Sequence, residues 1–115
     1  MSVPLKCITV TEAKDLQDNW IATRAVQIER GMGSQDTREF LFSVEELQEF
    51  LNYVTAGSTT PNPGIRIYFA AYDNETSDKA TVFLAPTNGT NAGAENNYNL
   101  RPFNRGIQGF PPKSY

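Results

Sequence analysis

Histidine is absent from these 115 residues, and cysteine occurs once. Without histidine the chain lacks the commonest acid–base group of neutral pH and the commonest metal ligand. Neither a Ser-His-Asp nor a Cys-His triad can be assembled from it, and a conventional zinc site is equally out of reach. Carboxylates, tyrosine, lysine and arginine remain, so catalysis is disfavoured rather than ruled out. The lone Cys7 rules out an intrachain disulfide and with it the framework of a small secreted domain. Set in a presumed strand with no base to activate it, Cys7 reads as a small buried apolar residue. Long hydrophobic runs are also missing. No segment has the length to span a bilayer, and Met1 to Cys7 holds no basic region leading into an apolar one. A cytoplasmic protein without membrane attachment is the expectation.

An excess of charge of one sign is lacking too, the formal net charge being -3. Residues 1–85 carry twelve acidic and seven basic side chains, and residues 86–115 one acidic and three basic. Tyr68, Phe69, Tyr72 and Phe83 are aromatic groups on expected strands, but base stacking on a sheet comes with a basic surround. This balance argues against nucleic acid as a partner.

What the chain does contain is apolar material, 39% of its residues, of which the aromatic share is 11% of the chain. That is too much for disorder, and the length suits a single domain over residues 1–115. The densest stretch runs from Gly64 to Pro86. Ile65–Tyr72 and Ala80–Pro86 are rich in branched and aromatic side chains, with a polar link between them too short for a parallel crossover. They form an antiparallel pair. Ile65, Ile67, Phe69 and Ala71 point to one face; Arg66, Tyr68, Ala70 and Tyr72 point to the other. Both faces are apolar enough to require cover.

Ahead of this pair the sequence predicts a strand at Leu5–Val10. A helix capped by Thr11 follows, from Glu12 to about Glu29, with Ala13, Leu16, Trp20, Ile21 and Ile28 on its apolar side and Gly31 and Gly33 at its end. Arg38–Phe42 reads as a short strand. Ser43-Val44-Glu45-Glu46 is a capping box with Phe42 and Leu47 placed as a hydrophobic staple. Val44, Leu47, Phe50, Leu51 and Val54 then give a helix closed by Gly57. After Thr87 the chain turns rich in Asn and Gly. Tyr98, Leu100, Phe103, Ile107, Phe110 and Tyr115 nevertheless recur through it, so residues 87–115 are expected to form an ordered, irregular extension laid over a compact core of about residues 5–86. The fold class is α+β: two helices packed on one face of a small, mostly antiparallel sheet.

No motif of catalysis stands out. Arg66, Tyr68 and Tyr72 share a strand face, where a guanidinium beside phenols can hold an anion or stack on a ring; they serve equally as long side chains snorkelling under a covering segment. With Asn96, Tyr98 and Arg101 of the extension they form the candidate ligand or partner surface. Asp73, Glu75 and Asp78 offer clustered oxygen ligands of the kind calcium takes, without the register of an EF-hand and in a turn whose composition solvent exposure alone explains. No cofactor is implied. The expected function is a non-catalytic binding or interaction domain, whose partner is another protein or a second copy in a homodimer, meeting through the second sheet face and the extension. The alternative is a small enzyme or small-molecule-binding protein with a pocket between sheet and extension.

Overall fold

The computed structural model of the protein describes residues 2–115, and the architecture is mixed α+β. In chain order, α1 (Val10–Trp20), one π-helical turn (Ile21–Ala25) and α2 (Val26–Met32) make a single uninterrupted helical rod. They are followed by β1 (Phe40–Leu41), α3 (Val44–Gly57), β2 (Gly64–Ala71), β3 (Ala80–Thr87) and β4 (Ile107–Gln108).

The rod starts earlier than its sequence suggests, and the strand expected at Leu5–Val10 does not form. Thr9 is the N-cap. Its hydroxyl accepts from the Glu12 N–H at 3.0 Å while the Glu12 carboxylate accepts from the Thr9 N–H at 3.3 Å, a complete capping box. Ahead of it a turn closes with the Cys7 N–H on the Pro4 carbonyl, and Cys7 is exposed rather than buried. Within the π turn the Thr23 hydroxyl donates to the Asn19 carbonyl at 2.5 Å, which competes with the helical ladder at that point. Gly33 ends the rod in the left-handed conformation, φ 77°, its N–H on the Glu29 carbonyl at 2.8 Å.

At α3 only half of the expected capping box is made. The Ser43 hydroxyl accepts from the Glu46 N–H at 2.9 Å, and no return bond from the Glu46 side chain is present. Phe42 and Leu47 both lie against the core cluster.

β2 and β3 form the antiparallel hairpin in the register Gly64–Thr87 to Ala71–Ala80. The alternation puts Ile67 opposite Leu84 and Phe69 opposite Val82 on one face, and Arg66 opposite Ala85 and Tyr68 opposite Phe83 on the other. α3 covers part of the first face. Phe50, Val54 and Leu84 are buried together there, with Phe42, Leu47, Ile65, Val82, Leu100 and Phe103 packed around them. Phe103 exchanges both backbone hydrogen bonds with Leu84 at 2.8 and 2.9 Å, which brings the extension alongside β3. Its ring lies 4.9 Å from Phe50 and 5.0 Å from Phe42. Farther on, β4 pairs antiparallel with β1.

A polar clamp ties the loop before β1 to the sheet. One Asp36 carboxylate oxygen accepts from the N–H groups of Thr37 and Ala80, each at 2.8 Å, and the buried Thr37 hydroxyl donates to the Ala80 carbonyl at 2.7 Å.

The rod packs sparingly. α1 buries none of its side chains, and the first buried residue along the rod is Ala25. The radius of gyration is 16.3 Å, against roughly 13 Å for a compact chain of this length.

Candidate functional site

Three of the residues singled out by sequence converge. The Arg66 guanidinium donates to Asn96 Oδ1 at 2.7 Å and to the carbonyls of Ala92 and Ala94 at 3.2 and 2.9 Å. The Asn96 amide in turn donates to the Tyr68 hydroxyl at 2.8 Å. Strand alternation places Arg66 and Tyr68 on the same face, and the Asn-rich segment after β3 folds back over them because Asn88 and Asn97 bond to Glu95 and Pro86 through the backbone. The hydrogen bond from Asn96, reinforced by the Arg66 charge, lowers the Tyr68 phenol below its ordinary value of 10.0 against an opposing effect of burial.

Of the other three, Tyr72 and Arg101 lie elsewhere and Tyr98 borders the same place. The Tyr72 hydroxyl donates to Asn104 Oδ1 at 3.0 Å, at the opposite end of the strand. Asn104 also donates to the Thr81 hydroxyl and the Val82 carbonyl, a staple that no local feature of the sequence announces. Arg101 contributes its backbone N–H, donated to the Tyr53 hydroxyl at 2.7 Å. Tyr98 is 90% exposed on the rim of a cleft of about 310 Å³, walled by Tyr68, Phe83, Pro86, Asn96 and Leu100. The Tyr68 and Phe83 rings stack at 5.0 Å along one wall. The lining holds no carboxylate, lysine or arginine; it offers apolar surface, amide hydrogen bonds and the phenols of Tyr68 and Tyr98.

Asp73, Glu75 and Asp78 do not converge on a point. Among the described residues no three His, Cys, Asp or Glu side chains are grouped to hold a metal ion. The turn is held by Asn74, whose side-chain oxygen accepts from the N–H groups of Thr76 and Ser77 and from the Thr76 hydroxyl. Asp78 pairs with Lys79 at 3.1 Å.

The concavity with the most apolar lining lies on the opposite face of the sheet. It has a volume of about 600 Å³ and runs between the rod and the hairpin, lined by Trp20, Ile28, Phe40, Ile67, Phe69 and Val82 among others. Ile67 is 60% exposed and Phe69 87%. The face bearing Arg66 and Tyr68 is thus covered by the chain's own extension, and the uncovered apolar surface is the one beside the helices. Sequence alternation identified both faces but not which of them stays open.

No family model, curated protein or solved structure matches the chain. Among the described residues no helix is long and apolar enough to cross a membrane.

Proposed function

We propose that this chain is a non-catalytic interaction subunit whose packing is completed by self-association. Surface area carries the reading. The chain exposes 8933 Å², whereas a compact monomer of 12.8 kDa exposes roughly 6,300 Å², leaving an excess of about 2,600 Å². Covering that much on each of two copies buries on the order of 5,000 Å² in total, the scale of an obligate homodimer rather than a transient contact. Side-chain burial agrees, since among the described residues no large side chain falls below 2% exposure. The apolar groove with Ile67 and Phe69 is the surface that an associating copy would cover. The covered Arg66–Tyr68–Asn96 face acts in this reading as the fastening of the extension, whose neutral acceptors hold the guanidinium in place. A cytoplasmic setting accords with the single unpaired cysteine.

Sedimentation equilibrium over a hundredfold range of protein concentration tests this. A stable dimer or higher species is expected. A monomer at every concentration, without bound material, refutes it.

A second reading rests on the cleft under Tyr98. Its size and mixed aromatic and amide lining suit a small, flat, uncharged ligand bound without chemistry. Native mass spectrometry separates the two: a whole-chain multiple of the mass favours the first, and a monomer heavier by a few hundred daltons favours the second.

A further inference from the structure

Resting on the self-association reading, we propose that two copies join through the outer edge of β2, antiparallel about a twofold axis, to build one continuous four-stranded sheet. The phase of the hydrogen bonding shows which backbone groups are free to do this. Tyr72 donates to the Lys79 carbonyl, one step beyond the hairpin register, and Leu84 spends its N–H and carbonyl on Phe103 instead of on its β2 neighbour Ile67. Even-numbered residues of β2 therefore face β3. In an antiparallel ladder the intervening residues, Ile65, Ile67, Phe69 and Ala71, turn their N–H and C=O groups away. Among the described residues no backbone or side-chain group bonds to these four on that side, and the sheet is two-stranded with β2 at its margin.

This edge carries none of the devices that keep a strand from pairing. β2 holds no proline, no lysine and no bulge, its one charged residue, Arg66, sits on the other face bound to Asn96, and it runs for eight residues. Two of these four, Ile67 and Phe69, also present their side chains to the open groove and are 60% and 87% exposed. A partner that satisfies the edge covers those side chains in the same act.

A second copy is the occupant for three reasons. The excess exposed area is on the scale that obligate homodimers bury. The edge is uncharged and so complementary to itself. Antiparallel pairing also sends the acidic turns, with Asp73, Glu75 and Asp78, to opposite ends of the joint sheet, whereas parallel pairing sets them side by side. One register uses all four outward residues. It sets Ile67 against Phe69 of the second copy, Ile65 against its Ala71, and Tyr68 against itself on the axis. Slipping by two residues runs Ala71 onto Pro63, which has no N–H, or Ile65 onto Asp73 beyond the strand end.

The test compares the full-length wild type with Ile67→Pro by sedimentation and far-UV circular dichroism. Proline removes an N–H that points outward and leaves the bonds to β3 intact, so the variant is expected to be a folded monomer at concentrations where the wild type is dimeric. A folded Ile67→Pro that remains as dimeric as wild type overturns the edge pairing while leaving self-association standing; a wild type that is monomeric throughout sinks both. Hydrogen exchange on the wild type keeps the question open to refutation if the variant does not fold. The Ile67 and Phe69 amides are expected to slow by a factor on the order of 100 or more in the assembled protein. Exchange at the rate of a free loop amide in a proven dimer refutes the pairing and assigns the contact to side chains alone.

Discussion

Replacing Phe103 with alanine asks whether the extension is part of the fold or an appendage to it. Phe103 stacks on Phe50 at 4.9 Å, meets Phe42 at 5.0 Å and packs against the Phe50–Val54–Leu84 cluster, while only its backbone pairs with Leu84. Alanine keeps that backbone pairing and deletes the ring. A fully buried Phe→Ala change costs about 3–5 kcal/mol. Phe103 is partly buried, so roughly half of that applies. The two ring pairs add about 0.5–1.5 kcal/mol more. A loss of about 2–4 kcal/mol is expected. With a urea slope of about 1–1.5 kcal/mol per molar for a chain of this size, the midpoint falls by about 2 M. The comparison must be made at one protein concentration, because association adds to apparent stability. Phe110→Ala is the comparison: this ring is 46% exposed and outside the core cluster, with the Lys79 ammonium 5.2 Å from its centroid, a contact of about 0.5 kcal/mol at an exposed site. If Phe103→Ala unfolds within about 0.3 M of wild type, the core closes without the extension and the packing described for residues 97–104 is refuted.

Three further outcomes are expected. Asp36→Ala removes the acceptor of two backbone N–H bonds, including that of Ala80, and should destabilise by about 2–3 kcal/mol in the same urea assay; an effect below about 0.5 kcal/mol would show that the clamp is idle. The phenol of Tyr68, lowered chiefly by Asn96, should contribute a component below its ordinary value to an ultraviolet pH titration. A depressed folded value means that its contribution to stability is absent at neutral pH, enters as pH rises through that value, and is complete above the unfolded value near 10.0. Asn96→Ala should move that component upward, and an unchanged titration would remove Asn96 as the cause. Trp20, the sole tryptophan, borders the apolar groove, so its emission should shift to the red as the assembly is diluted apart; a spectrum independent of concentration across a measured dissociation would place the contact elsewhere.

Local chemistry was legible where one short stretch settles the matter. Ser43 ahead of a run with Leu47, Phe50 and Val54 in helical phase specifies α3, and the two β-type runs with a short polar link specify the hairpin. Thr9 was legible as well, since Thr9-Val10-Thr11-Glu12 has the spacing of a capping box. Thr11, one turn fraction later, competes with it as a cap, and the apolar look of Leu5–Val10 favoured a strand. The full reciprocal bond decides for Thr9. The short strand β1 exists because β4 lies beside it, not because Phe40–Leu41 is a strong strand former.

By itself, then, the sequence determined α3, the body of the first helix, the α+β class and the pairing of an apolar hairpin, because capping, periodicity and turn chemistry act over a few residues. It also determined that both hairpin faces need cover. Only the tertiary structure decided which face is covered by the chain itself. Arg66 meets Asn96, Tyr72 meets Asn104 and Asp36 meets Ala80 across 30, 32 and 44 residues of chain, and a polar bond over such a span leaves no periodic trace. The first two lay the extension over the Arg66–Tyr68 face, the third fastens the loop before β1, and Ile67 and Phe69 stay exposed.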